Sequence, residues 1–218
     1  LNNLATIVTN TGDAPIIVNG KPLKAINQYY NKKKAELTSK LPHYKTKTDE
    51  KRQRTSSKAI RKLTVKRNNK IKDYLHKASR KVVNELQQAD ISKVVIGQNK
   101  EWKSSINIGK RNNQNFVAIP HARFIDMCNY KNELLGIEQK EREESYTSKC
   151  SFLDDETIRK HNEYKGQRVK RGLFKSATGI KWNADCNGAA NILRKEVPNA
   201  FADGIEGVLS RPRVIKIS

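Results

Sequence analysis

The stretch from about residue 24 to residue 87 constrains the fold most, because most of it has the residue pattern of a helix. Pro42 and the Thr/Ser-rich residues 46–57 interrupt it, which predicts two helices joined by a basic connector. In the second helix apolar residues recur at spacings of four, three, four and four, at Ile71, Leu75, Ala78, Val82 and Leu86. This spacing places them on one face.

Shorter apolar runs predict strands at two places. Leu4–Val8 and Pro15–Val18 predict two or three antiparallel strands, with a hairpin turn at Asn19-Gly20. Lys93–Gly97 has the composition of a buried strand.

The second half of the chain predicts two further helices. Pro120 suits the first position of a helix that carries Phe124, Met127, Cys128 and Leu135 and is closed by Gly136. Residues 137–144 are nearly all charged and therefore predict no strand. A last helix is expected from about Asp185 to Lys195.

The charge of the chain indicates its class of partner. Lys and Arg total 44 against 22 Asp and Glu, a formal net charge of +22. Between Lys32 and Lys81 there are 19 Lys or Arg and four acids. Phosphate polyanions bind such surfaces with release of counterions. Four lysines largely off the apolar face favour a surface along a nucleic-acid backbone over a solvated helix face: Lys66, Lys70, Lys77 and Lys81.

Other features bear on location. No apolar run approaches the roughly 20 residues of a membrane span, and no signal-peptide pattern opens the chain. Three unpatterned cysteines suit a reducing cytoplasm, so we expect a bacterial-type, cytoplasmic and nucleoid-associated protein. The chain begins at Leu1 instead of Met with residues typical of a strand interior, which predicts an N-terminal truncation.

Three segments resemble one family. They are Leu1-Asn2-Asn3-Leu4-Ala5-Thr6, the Tyr-Thr-Ser-x-x-Cys-like block 144–151, and Asn183-Ala184-Asp185-Cys186-Asn187-Gly188-Ala189-Ala190-Asn191-Ile192. They resemble the TnpB/OrfB proteins of insertion sequences, which are related to the compact type V CRISPR nucleases. The resemblance extends along nearly the whole chain, including 102–116 and 201–212.

The resemblance implies an α/β fold: an RNase H-like (RuvC-type) mixed sheet flanked by helices, with a long basic helical insertion and a degenerate zinc-ribbon loop. We expect a first part of the nuclease core at 1–119 with the insertion at about 24–88. A second part would span 120–196, with the ribbon-like region at about 147–181, and a tail would span 197–218.

The resemblance also implies a Mg²⁺ site. RuvC-like nucleases hold two Mg²⁺ about 4 Å apart with about three or four carboxylates. The family's first metal ligand is the Asp of an Asp-x-Gly strand, which would lie three residues before Leu1 and is absent from the sequence. Asp185 matches the aspartate of the family's third motif, although an Asp there also suits a helix cap.

The family's second acid is expected at a different position. It usually ends a strand like Lys93–Gly97, but here that position is Gly97. Some relatives supply it just before the Tyr-Thr-Ser block, which points to Glu144 as a catalytic metal ligand. Glu143 is the nearest rival, Glu101 is the fallback, and a solvated acid remains the alternative.

No zinc is expected in the ribbon-like region. The family has two Cys-x-x-Cys pairs, but here Phe152, Leu153 and Asp154 occupy the place of the partner of Cys150, and 174–179 has no cysteine. Cys186 does not restore four ligands. The region should form a loop or short hairpin held by Tyr146, Phe152, Leu173 and Phe174.

Nucleic acid is the expected partner of this site. Trp102 and Trp182 are candidates for either base stacking or burial. Basic residues that we expect to contact phosphate are Lys103, Lys110, Arg111, Lys170, Arg171 and Arg194.

The resulting hypothesis is that the chain is part of an RNA-guided DNA endonuclease, a transposase by family description. Such a protein would bind DNA and guide RNA and no small-molecule substrate. The absent aspartate predicts that this chain alone is inactive. The alternative is a non-catalytic nucleic-acid-binding remnant. A basic structural protein of the ribosome or nucleoid would explain the charge but not the motifs.

Overall fold

The computed structural model describes residues 3–45, 51–98 and 119–217. Over these ranges the chain is mixed α/β. The helices are α1 (Lys21–Ser39), α2 (Lys58–Gln88), α3 (His121–Glu133), α4 (Ala184–Glu196) and α5 (Glu206–Leu209). The strands are β1 (Asn3–Ile7), β2 (Ile16–Asn19), β3 (His43–Lys45), β4 (Lys51–Gln53), β5 (Lys93–Gln98), β6 (Glu138–Glu143), β7 (Gln167–Lys170), β8 (Leu173–Lys175), β9 (Lys181–Asn183) and β10 (Arg213–Ile215).

The first sheet joins the two ends of the described chain. β1 pairs antiparallel with β2, as predicted, with Ile7 opposite Ile16. β10 adds to the other edge of β2 in parallel, with Val214 opposite Ile17. Part of the expected tail therefore belongs to the sheet.

The hairpin prediction at Asn19-Gly20 is wrong, because α1 follows β2 directly. The Asn19 side chain accepts the Lys21 backbone N–H at 3.0 Å, and Gly20 is the N-cap residue. Pro22 in the first helical turn needs no N–H there. The Asn-Gly pair thus serves as a helix start.

The two predicted helices are confirmed, and the connector between them contains the β3–β4 hairpin. The five apolar residues predicted for one face of α2 are all buried. They pack with Phe124, Met127 and Cys128 of α3. Leu135 lies beyond the end of α3 and is 38% exposed, because Gly136 with a φ of 70° ends the helix. No helix in the described part of the chain combines the length and apolar character that a bilayer crossing needs.

The expectation of no strand at 137–144 is wrong. β6 pairs in parallel with β5, with Glu138 opposite Lys93 and Glu143 opposite Gln98. Tertiary ion pairs offset the low strand propensity of the charged sequence. Lys140 and Arg142 reach the Glu196 carboxylate of α4 at 2.5 and 2.7 Å.

The ribbon-like region forms a three-stranded antiparallel sheet in the order β7-β8-β9. Phe174 of β8 is fully buried, in a cluster with Phe152 and Trp182. Tyr146 is 38% exposed and does not belong to this cluster, which corrects that part of the expectation.

A buried carboxylate organises the loop ahead of β7. Glu156 is 3% exposed and accepts the backbone N–H of Ser151 at 2.7 Å and that of Lys165 at 2.9 Å.

Burial raises the pKa of the Cys150 thiol and raises that of Cys186 to about 12, so both remain protonated at neutral pH. Zinc binds thiolates. Within the described ranges no three His, Cys, Asp or Glu side chains form a group suited to a metal.

We predict that Glu156→Gln destabilises the protein, because the Gln amide group would face one of two backbone donors. Leaving one buried N–H unpaired costs about 1–3 kcal/mol. Urea unfolding measures this loss, with the exposed Glu163→Gln as the control. A strong chelator should leave the unfolding free energy of the native chain unchanged. A chelator-induced loss of stability would show that a metal holds this region.

Candidate active site

A cleft of about 1400 Å³ lies between β1 and β5. The turn 144–148 after β6, residues Arg168, Arg171 and Gly172, and residues of α2, α3 and α4 also line it. Asp185 and Glu144, the two acids predicted as metal ligands, both line it.

Asp185 stands in the first turn of α4 and is available to the cleft. The neighbouring Asn183 is the N-cap residue, and its side chain accepts the backbone N–H groups of Asp185 and Cys186 at 2.8 and 3.1 Å. The capping role that the sequence left open for Asp185 is therefore filled by Asn183.

Two residues that sequence analysis missed bind the Asp185 carboxylate. Asn3 donates its side-chain amide to Oδ2 at 2.8 Å, and Arg168 donates its guanidinium to Oδ1 at 3.3 Å. Asn3 is 182 residues and Arg168 is 17 residues away along the chain, so no local pattern marks either contact.

Glu144 lies half-buried in the turn after β6. Its pKa is raised, mainly by burial and secondarily by the negative charge of Glu143. A Cβ built on Gly97 would lie 3.1 Å from Oε2 of Glu144. The Glu144 carboxylate thus occupies the space beside the end of β5, next to the position where the sequence resemblance led us to expect the second acid.

The rival Glu143 is engaged elsewhere. Its carboxylate accepts hydrogen bonds from the Lys195 ammonium at 2.9 Å and from the Ser145 backbone N–H at 3.0 Å. The Lys195 contact holds its pKa below the ordinary range. Glu143 is exposed and does not line the cleft, and the fallback Glu101 lies outside the described residues.

Two buried asparagines of α4 attach the turn that carries Glu144 to the helix that carries Asp185. Asn191 donates to the carbonyl oxygens of Thr147 and Cys150 at 2.9 and 2.8 Å. Asn187 donates to the Cys150 carbonyl at 2.9 Å and accepts the Phe152 N–H at 3.0 Å. These contacts fix both acid-bearing segments against each other.

The predicted phosphate-binding residues fall into three groups. Arg171 lines the cleft and Lys170 is exposed beside it. Arg194 is bound inside the fold, since it donates to the Glu156 carbonyl at 2.6 Å, to the Asn191 side chain at 3.0 Å and to Asp155. The others lie outside the described residues, as does Trp102: Lys103, Lys110 and Arg111. Of the two alternatives for Trp182, base stacking and burial, the structure shows burial.

Comparisons with known proteins match two parts of the chain to family models. A family model named OrfB_IS605, described as a probable transposase, matches residues 1–103. A second model, the Cas12f1-like TNB domain, matches residues 121–192. No curated protein matches the chain.

The fold is similar to a solved structure described as the cryo-EM structure of the Cas12f1-sgRNA-target DNA complex. The TM-score is 0.59 at 18% sequence identity, over 82% of this chain and 43% of that chain. The chain therefore spans less than half of that protein. The two family matches show a TnpB-type protein, and the shared fold agrees with them.

Proposed function

We propose that this chain is the RuvC-like nuclease part of a transposon-associated, RNA-guided DNA endonuclease. The observation that carries the proposal is that Asp185 and Glu144 line one cleft together with Arg168 and Arg171. Carboxylates beside guanidinium groups suit the cleavage of a phosphodiester, which needs both acids for metal ions and cations for the phosphate. The complex of the similar Cas12f1 contains sgRNA and target DNA, which supports RNA and DNA as partners.

The acids of the cleft fit a Mg²⁺ ion that also binds substrate. Mg²⁺ is commonly held by one or two carboxylates together with water and substrate phosphate. Asp185 and Glu144 would hold it, and Mg²⁺ would supply charge stabilisation at the phosphate. Asn3 orients Asp185 for this role through its 2.8 Å hydrogen bond.

The number of acids in the cleft supports low activity of the chain alone. A two-metal site needs about three or four carboxylates, and the described residues that line the cleft supply two. The second candidate function, a non-catalytic nucleic-acid-binding protein, is favoured by the Arg168 guanidinium, which already neutralises Asp185 at 3.3 Å.

A second surface supports a nucleic-acid partner. The first half of α2 presents a groove lined by five cations, Val65 and Asn69; the cations, here called the α2 stripe, are Lys58, Arg61, Lys62, Lys66 and Lys70. All five are exposed, and none is ion-paired with an acid in the described part of the chain. Lys58, Lys62, Lys66 and Lys70 recur every four residues, a rise of about 6 Å per step. Such a row suits a sugar-phosphate backbone.

We predict that the triple substitution Lys62→Gln, Lys66→Gln and Lys70→Gln weakens binding to duplex DNA. Each lost phosphate contact lowers the slope of log K against log salt by about 0.9, so the slope should fall by roughly 3. Fluorescence anisotropy over a salt series measures it. The control with the same charge change is Lys40→Gln, Lys160→Gln and Lys216→Gln at scattered exposed positions. Equal slopes for both triples would contradict a role of the α2 stripe.

We predict that Mg²⁺-dependent DNA cleavage depends on both cleft acids. Asp185→Asn and Glu144→Gln should each lower the rate by at least a hundredfold, whereas the exposed Asp203→Asn should not. Cleavage that survives Asp185→Asn would refute the assigned site. DNA binding without cleavage by the native chain at any Mg²⁺ concentration would favour the non-catalytic candidate.

Glu144→Gln should also stabilise the fold at neutral pH. The raised pKa of Glu144 means that the folded state disfavours its charge, so ionisation destabilises the protein as pH rises through the folded pKa. The variant should have a higher Tm than the native chain at pH 7, and the difference should shrink below the unfolded pKa of about 4.3. Thermal unfolding at both pH values measures it. A variant that is less stable at pH 7 would indicate a structural role for the charge.

A further inference from the structure

Tyr146 lies in the turn directly after Glu144 and has a backbone conformation that bulky residues rarely adopt. Its φ is 64°, in the left-handed region, where a residue with a Cβ is strained. Two hydrogen bonds fix this conformation, because the backbone N–H groups of Lys149 and Cys150 both donate to the Tyr146 carbonyl at 3.0 Å. The turn therefore holds a tyrosine at a position whose geometry suits glycine.

The residues next to Tyr146 keep the turn in this shape. Thr147 donates its backbone N–H and its hydroxyl to the Glu144 carbonyl at 3.2 and 2.8 Å. The Thr147 carbonyl in turn accepts the Asn191 amide at 2.9 Å. A rarely adopted backbone conformation that its surroundings impose in this way is found most often at functional sites.

The Tyr146 ring contributes little to the packing of the fold. It is 38% exposed, whereas the aromatic residues of the ribbon-like region are buried together: Phe152, Phe174 and Trp182. In the described part of the chain the Tyr146 ring pairs with no other ring, and no cation lies over it. Packing therefore does not explain why an aromatic side chain stands in a strained turn.

The turn that carries Tyr146 forms one wall of the cleft of the candidate active site. Residues 144–148 have the sequence Glu-Ser-Tyr-Thr-Ser, so this wall has one carboxylate and no cation. An uncharged nucleobase suits it better than a phosphate, which the Glu144 carboxylate would repel. Arg168 and Arg171 also line the cleft and supply cations for phosphate. The cleft thus offers separate contacts to the base and to the backbone of a nucleic acid.

We propose that Tyr146 is a stacking residue: an unpaired nucleobase of a DNA strand rests on its ring while Arg168 and Arg171 bind neighbouring phosphates. Cations that follow the backbone, combined with an exposed aromatic ring, are the usual means of binding single strands. Tyr146 is two residues from Glu144, so the stacked base positions the adjoining phosphodiester beside the acids. The proposal rests on the proposed function in taking DNA as the ligand of the cleft.

This contact depends on the state of the DNA and not on its sequence. A base inside a duplex is already stacked on its neighbours, so only an unpaired or extruded base can rest on Tyr146. Every base has a π-face, which makes stacking tolerant of sequence. Binding of single strands should therefore depend on Tyr146, and binding of duplexes should not.

Binding of a fluorescein-labelled oligothymidine strand to the whole chain tests the stacking. Fluorescence anisotropy is measured in EDTA, which prevents cleavage, and at high salt, which weakens the phosphate contacts of the α2 stripe. Tyr146→Leu keeps apolar bulk without the ring and should raise the Kd about fivefold or more. Tyr146→Phe should bind like the native chain. The matched control is Tyr130→Leu, at a tyrosine of α3 that is 42% exposed and does not line the cleft.

Tyr146→Gly separates a role in binding from a role in folding. Glycine adopts a φ of 64° without strain, so the variant should have a Tm no lower than that of the native chain and above that of Tyr146→Leu. It should bind the single strand as weakly as Tyr146→Leu. Thermal unfolding and the same anisotropy measurement give both values.

Photo-cross-linking locates the stacked base. A strand that contains iodouracil, irradiated in complex with the native chain, should form an adduct on the peptide that contains Tyr146, identified by mass spectrometry. Tyr146→Leu should remove this adduct, and Tyr130→Leu should keep it.

Three results would overturn the proposal: unchanged single-strand binding in folded Tyr146→Leu, an equal loss of single-strand and duplex binding in that variant, or cross-linked chains without an adduct at Tyr146. A Tm of Tyr146→Gly below that of the native chain would overturn it in favour of a packing role. A chain that never cleaves DNA but binds single strands through Tyr146 would contradict only the nuclease function. Cleavage that depends on Asp185, together with strand binding that does not depend on Tyr146, would contradict only this proposal.

Discussion

The candidate site depends on the hydrogen bonds of Asn187 and Asn191 to the carbonyl groups of Thr147 and Cys150. The two asparagines are four residues apart and share one helix face. Both are fully buried, so an amide without its partner would cost about 1–3 kcal/mol. Through these bonds α4 positions the turn that follows β6, and with it Glu144.

The acids of this strongly basic chain have distinct structural uses. Glu156 accepts two backbone N–H groups, and Glu196 joins α4 to β6 through Lys140 and Arg142. Glu144 differs, because no basic side chain in the described part of the chain is ion-paired with it and burial raises its pKa. A carboxylate kept in a cleft at a cost in stability is typical of sites that bind a cation or a reacting group.

Sequence periodicity predicted the long elements well, because burial of one helix face dominates their stability. α2 was placed to within a few residues on the strength of that pattern, and the prediction for α4 was as close. β6 was missed, since its charged side chains are stabilised by partners on β5 and α4 that no local window contains. The Asn19-Gly20 pair was misread because its turn chemistry suits both a hairpin and a helix start.

The site was only partly predictable for the same reason. Asp185 was marked by the residues around it, whereas its partners Asn3 and Arg168 come from distant strands. The sequence left Glu144 and Glu143 as rivals, and only their tertiary contacts distinguish them. Lys195 draws the Glu143 carboxylate away, while Glu144 turns into the cleft.

Packing of Ile192 of α4 on β5 favours a glycine at 97. A Cβ at position 97 would lie 2.4 Å from Cδ1 and 3.3 Å from Cγ1 of Ile192, so a larger residue there requires the Ile192 side chain to adopt another rotamer. α4 itself is held by the asparagine bonds and by the ion pairs of Glu196. The side chain of Ile192, and not the helix, would therefore give way to an acid at the end of β5. A glutamate in the following turn reaches the same space from the other side, within 3.1 Å of where that Cβ would be.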